Sequence, residues 1–286
     1  MARRALVTLC LALSGAVLAG PAHAEKAKPA APVNKAEIAR LKQVLESGGE
    51  AEKLAALDEL GKQSGPNAAP AAVVVNELLA RGASTAVLGR ALAVAGKLAQ
   101  PTSTAAVAPY ARHRASELRI AATRALATTG GPDAVTTLRA GLRGDDRASR
   151  GFAASGLATL KAKDAVPDLF AVLAKDVPEA AGAIGELCAP ADCGKFADQL
   201  GRLPFDLMQT GLAPILLRPE SEVSEQFKLE LLERLRKLQT EEAHKFLETI
   251  RSSYPDKGNA WVKYGLDQAV GNKPVVPPPG AKGKAK

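Results

Sequence analysis

The residues with the most chemical potential in this sequence are Cys188 and Cys193, His113 and His244, the adjacent pair Glu241-Glu242, and a run of arginines between Arg112 and Arg150. A structural zinc site takes four Cys, His or carboxylate ligands. Two cysteines in Cys188-Ala-Pro-Ala-Asp-Cys193 with two distant histidines offer no such set. A thiol-exchange centre favours a two-residue spacer, and this one has four. The histidines lie among charged or helical neighbours, far from each other and from any serine or cysteine nucleophile motif. Neighbouring carboxylates on a helix point in different directions, so Glu241 and Glu242 read as first-turn acids and not as an acid–base pair. There is no glycine-rich phosphate loop, no His-Glu-x-x-His and no Gly-x-Ser-x-Gly. The sequence therefore assigns no catalytic, cofactor-binding or metal-binding residue, and the chain is expected to be no enzyme and to use no cofactor.

The chemistry of the cysteines depends on compartment. Arg3 and Arg4 precede an apolar stretch of 16 residues, Ala5 to Gly20, too short for a comfortable membrane span. Ala22-His23-Ala24 follows with the small-x-small pattern of a processing site. The first 24 residues are expected to be a signal peptide cleaved after Ala24. Cys10 lies inside the apolar stretch and not at its end, which argues against lipidation. The mature protein is then periplasmic or secreted, with no transmembrane segment after cleavage. In an oxidising compartment Cys188 and Cys193 are expected to form a structural disulfide, with redox and metal roles as the alternatives. Closing so short a loop contributes roughly 2 kcal/mol on the chain-entropy model.

The elements that position these residues follow from composition and periodicity. With 47% hydrophobic residues but only 3% aromatics, the chain is Ala- and Leu-rich, which suits closely packed helices and disfavours sheets. Residues 116–129 superpose on 147–160 at an offset of 31: Arg119 on Arg150, Ala122 on Ala153, Leu126 on Leu157. The register continues beyond a break, with Asp133-Ala-Val on Asp164-Ala-Val, Leu138 on Leu169 and Leu142 on Leu173. Within one unit, Leu118, Ala121, Ala122, Ala125 and Leu126 form an apolar helical stripe. Gly130-Gly131-Pro132 ends that helix, and Asp133 is expected to N-cap a second whose apolar face is Ala134, Val135, Leu138 and Leu142. A two-helix unit of this size must stack on neighbours to bury its face.

This pattern resembles the HEAT-like repeats also found in phycobilisome lyase subunits. The resemblance rests on Leu118-Arg119, Ala121-Ala122 and Leu126, on Pro132-Asp-Ala-Val135 with Leu138 and Leu142, and on their copies 31 residues later. It implies an all-α fold, an α-solenoid of stacked helical hairpins with extended surfaces for partners. Similar hairpins are expected around 60–69, 98–107 and 179–203, the last with the cysteines in its turn. The expected organisation is a disordered linker at 25–34, a solenoid at 35–217, a helical C-terminal cap at 218–271 and a disordered basic Pro/Lys tail at 272–286. Through the lyase resemblance alone comes a further reading, chromophore attachment or removal.

Charge gives the partner expectations. The net charge of +8 resides in the ends, while residues 41–271 hold 28 side chains of each sign. Within the body, residues 81–163 carry 13 basic and 4 acidic side chains and residues 164–248 carry 9 and 16. The arginines of the basic half, Arg112, Arg119, Arg124, Arg139, Arg143, Arg147 and Arg150, form a possible anion or partner surface; the bland reading is intramolecular bridging by Arg119 and Arg150 to Asp133, Asp164 or a neighbouring turn. The leading expectation is a protein partner in the cell envelope. The alternative is an anionic polymer or lipid headgroups bound by these arginines and the lysine tail. Nucleic acid is not expected, because the arginines lack interleaved aromatics that stack on bases.

Overall fold

The computed structural model describes residues 34–175 and 177–271. The expected signal peptide, most of the expected linker and the Pro/Lys tail lie outside them. Fifteen α-helices and four short 3-10 turns make up the described residues. In chain order they are α1 (Lys35–Ser47) and α2 (Glu50–Leu60), α3 (Ala68–Arg81) and α4 (Thr85–Leu98), and the short α5 (Thr104–Val107) with α6 (Ser116–Thr129). Next come α7 (Pro132–Gly141) and α8 (Arg147–Thr159), α9 (Val166–Leu173) and α10 (Pro178–Leu187), and α11 (Pro190–Ala197) and α12 (Phe205–Leu217). The chain ends in α13 (Glu225–Leu238), α14 (Glu241–Ser253) and α15 (Ala260–Ala269).

The helices stack in two layers. In one, α2, α4, α6, α8, α10, α12 and α14 each pack against the next. In the other, α1, α3, α5 and α7 do the same, and α13 packs on α15. A single apolar cluster runs from Ile38 to Val270 between and along the layers. Most of the stripe read from the sequence is buried, Leu118, Ala122, Ala125 and Leu126 on α6, then Ala134, Leu138 and Leu142, while Ala121 and Val135 are half-buried against it. Small residues set the spacing. A Cβ on Gly185 of α10 would lie 2.1 Å from the Gly211 carbonyl oxygen of α12, so these two helices meet backbone to backbone. This is an all-α solenoid of stacked hairpins.

The turns carry the period more faithfully than the side chains do. The N-cap residues of α4, α6, α8 and α10 are Ser84, Ala115, Asp146 and Val177, each 31 after the last. Left-handed or positive-φ residues likewise fall at Ala99 (φ 50°), Gly130 (φ 73°) and Lys161 (φ 54°). The capping expected of Asp133 is corrected here. Gly130 and Gly131 both take positive φ and turn the chain, Gly131 is the cap residue, and Pro132 opens α7, leaving Asp133 in the first turn. Asp164 sits inside the 3-10 turn Lys163–Ala165.

Three local differences from the sequence reading have simple causes. Asn34 belongs to the folded body, because its side chain accepts from the Glu37 N–H and caps α1. Cys188 lies in the turn after α10, whereas Cys193 is inside α11, which Pro190 opens at once. The helical cap expected from 218 begins its first helix only at Glu225, where Ser224 accepts from the Phe227 N–H; Pro219 to Val223 form a turn before it.

Candidate functional site

The basic half does not gather its arginines into one surface. Each repeat turns them onto itself or its neighbour. On α6, Arg119 donates through Nη1 to the carbonyls of His113 (3.0 Å) and Arg114 (2.9 Å) in the preceding loop. Its Nη2 lies 3.6 Å from Asp146 of the next loop. On α8, Arg150 donates through Nη1 to Gly144 (2.9 Å) and Asp145 (2.8 Å). The guanidinium of Arg124 lies over the Phe152 ring, 3.9 Å from its centroid, joining α6 to α8 by a cation–π contact. Arg139 and Arg143 share Asp168 of α9 at 2.6 and 3.1 Å. Arg147 opens α8 and is exposed.

What remains is a cleft of about 370 Å³ between two equivalent loops. Arg112, His113 and Arg114 form one wall, and Asp145, Asp146 and Ser149 the other, with Arg119 and Thr123 from α6 between them. Of the seven arginines singled out, only Arg112 and Arg119 line it. The first wall is held from behind. Tyr110 donates its hydroxyl to the Leu79 carbonyl at 2.6 Å, and burial pushes its pKa up. His113 is fixed by its Nδ1, which accepts the Ala115 N–H at 3.1 Å. Opposite it, Asp146 caps α8 by accepting from the Ala148 N–H and from Ser149, and it reaches back to the Ser116 hydroxyl at 3.0 Å. These hydroxyls, Ser149 foremost, and the nearby Arg119 hold its carboxyl below the ordinary aspartate value. The cleft presents both signs of charge, backbone loops and an exposed Arg114, a lining suited to polar recognition.

Asp145, Asp146 and Ser149 were not foreseen as part of a site. The 31-residue period sets Asp146 on Ala115, and an alanine there offers no polar side chain to match.

A second polar cluster joins the solenoid to its last helices. Cys188 and Cys193 form a disulfide, with a Cα–Cα distance of 5.2 Å. Arg218, after α12, donates through Nη1 to the carbonyls of Gly185 (3.2 Å) and Cys188 (2.9 Å), and through Nε to Glu222. Its Nη1 also lies 3.5 Å from the Cys188 sulfur and 3.8 Å from the Cys193 sulfur. Lys228 of α13, almost wholly buried, donates its ammonium to the Arg218 carbonyl, and burial lowers its pKa. The cysteines are fully buried and staple a turn, with Arg218 capping the end of α10. His113 and His244 are far apart in this stack, one in the cleft and the other on α14 near Glu248. Among the described residues no group of three or more His, Cys, Asp and Glu could hold a metal ion, and no helix is long and apolar enough to cross a membrane.

Comparison with known proteins gives a family match over part of the chain. Residues 71–151, which span α3 to the start of α8, match the family model of HEAT repeats. That stretch is similar to HEAT repeats, and the helices on either side of it continue the same stacking. Among solved structures it is similar to an engineered protein known from a crystal structure, at 16% identity and a TM-score of 0.38 over 82% of this chain and 96% of that one. No curated protein matches the sequence.

Proposed function

We propose that this chain is an exported, non-catalytic scaffold that holds another polypeptide in the cell envelope, with the cleft between the loops at 112–115 and 143–146 as a principal contact. The observation that carries this reading is the mixed polarity of the cleft, whose lining holds Arg112 and Arg114 together with Asp145 and Asp146. A polypeptide can offer carboxylates, ammonium groups and backbone amides to such a lining, whereas a polyanion would meet two carboxylates. The inward engagement of Arg119, Arg139, Arg143 and Arg150 supports it too, because those charges already have partners. Repeat stacks bind along extended surfaces made by adjacent units, and this cleft spans two units. The non-enzymatic reading is supported by the repeat architecture and by the structural roles of the cysteines.

The test is a photoreactive residue placed at Arg114 in living cells, with mass spectrometry of the product. One recurring protein, lost when Asp145→Lys is introduced in the same chain, is the expected result. Wall or lipid material without a dominant protein would overturn it. Export is tested separately: the mature chain should begin at Glu25 and fractionate with periplasmic or secreted markers, and an intact Met1 in the cytoplasm would refute that part.

One observation favours the alternative, binding of anionic polymers or lipid headgroups. Arg112 and Arg114 are exposed and have no carboxylate at ion-pair distance among the described residues. Such binding weakens steeply with salt, and removing residues from Asn272 onward should reduce it. An interaction insensitive to salt and to truncation counts for the polypeptide reading.

A further inference from the structure

A groove of about 450 Å³ runs between α13 and α15. Leu229 and Leu232 of α13 and Trp261, Tyr264 and Gly265 of α15 line it, together with the polar Glu233, Arg236 and Gln268. The helices touch at Gly265, where a Cβ would come within 2.7 Å of Leu229. Trp261 and Tyr264, three apart on α15, stand edge to face at 83° with centroids 6.0 Å apart, and both are partly exposed. Two aromatic rings set at right angles beside aliphatic side chains make slots of the kind that receive the rings of an extended proline-rich segment, which arrives with its backbone already ordered.

The chain itself supplies such a segment. Fifteen residues follow Gly271, and Val275-Val-Pro-Pro-Pro279 begins four residues on. Gly271 takes φ 69°, the left-handed conformation that ends a helix and turns the chain off its axis. From Gln268 back to Trp261, α15 covers about 10 Å at 1.5 Å per residue. A polyproline stretch advances about 3.1 Å per residue, so a four-residue lead suffices to bring the prolines over both rings. Running back along α15 would also carry Lys282, Lys284 and Lys286 towards its start, where Glu225 is bonded to Asn259.

We propose that the groove between α13 and α15 is the seat of this chain's own segment Val275–Pro279, packed against Trp261 and Tyr264. The seated segment covers Trp261 and Tyr264.

Trp261 is the sole tryptophan of the chain, so its fluorescence reports on this groove alone. The experiment compares the mature chain with one ending at Gly271 and with a full-length chain carrying Pro277→Ser, Pro278→Ser and Pro279→Ser. Both altered chains should show red-shifted emission and at least twofold greater quenching by acrylamide, with unchanged helical circular dichroism. A synthetic peptide of residues 272–286 should reverse the change saturably in the truncated chain. Identical emission and quenching in all three chains would overturn the proposal. Protection of Trp261 that vanishes on dilution would overturn it in favour of a neighbouring copy, and protection that survives the proline substitutions would show that another part of the tail is responsible.

Discussion

Arg119 and Arg150, 31 residues apart, make the same two bonds: each donates from Nη1 to the carbonyls five and six residues before it. A recurring arginine invites a reading as a recurring surface charge. Here it is a recurring clamp, one guanidinium closing the loop that leads into its own helix. The fork of an arginine can span two adjacent carbonyls, which a lysine ammonium does less well.

The clamp predicts an order of stability losses. Arg150→Met leaves two loop carbonyls without that donor and is expected to cost about 1–2 kcal/mol, because bonds from charged donors are worth more than neutral ones. Arg119→Met should cost at least as much, since it also loses Asp146. Replacement by lysine should recover less than half. Urea denaturation of the three variants checks the order, and an Arg150→Lys protein as stable as the parent would remove the clamp from the account.

Positive φ at Ala99 and Lys161 gives a prediction of opposite sign. Both take the position that glycine fills at Gly130, and a left-handed residue with a Cβ carries about 1–2 kcal/mol of strain. Glycine loses about 0.5–1 kcal/mol more entropy on folding than alanine. Ala99→Gly and Lys161→Gly are therefore expected to stabilise the chain slightly, by about 0.5 kcal/mol each, visible as raised denaturation midpoints. Gly130→Ala should lower the midpoint.

Asp146 predicts a dependence on pH. Its folded pKa lies below the ordinary value, held there first by the Ser149 hydroxyl. An aspartate lowered on folding stabilises fully above its unfolded pKa, near 3.9, and that contribution disappears as pH falls through the folded value. The parent should exceed Asp146→Ala by about 1 kcal/mol at pH 7, as for other helix caps, with the gap closing below pH 4. Thermal denaturation from pH 7 to pH 2 follows the gap, and a constant gap would mean that packing and not charge sets the difference.

The cluster at Arg218 predicts that the disulfide and the arginine act on one element. Replacing both cysteines by alanine is expected to cost roughly 2 kcal/mol through the freed turn. Arg218→Met leaves the Gly185 and Cys188 carbonyls unpaired in a buried setting, about 1–3 kcal/mol. Because both act on the end of α10, the combined variant should lose less than the sum. Simple additivity in a denaturation cycle would show that the two are independent.

The repeat was legible where side chains repeat, and the charges were legible only as totals. Leu126 over Leu157 and Arg119 over Arg150 exposed the period, and the buried stripe on α6 followed from helical spacing alone. Ser84 and Val177, or Ala99 and Lys161, share no chemistry, so the caps and turns of the flanking units stayed hidden; what recurs there is an extended residue before one helix and a positive φ after it. The separation of basic and acidic halves suggested open charge. Arg139 and Arg143 show why the charges were not open: α7 and the turn after it bring them to Asp168 of the next unit, a direction that no count along the chain contains. Nor could the cleft be read, since its two walls come from loops whose sequences, Arg112-His-Arg114 and Arg143-Gly-Asp145, differ while their positions correspond.

The even spacing of Ser84, Ala115, Asp146 and Val177 makes length a discrete quantity in this molecule. A segment of 31 residues, removed or duplicated between equivalent caps, would rejoin a helix to the partner face it already fits. Any other length would bring it back rotated, with polar side chains turned inward. Change in this chain therefore has a natural unit, and a lineage could lengthen or shorten the stack one whole step at a time while keeping the backbone geometry between steps.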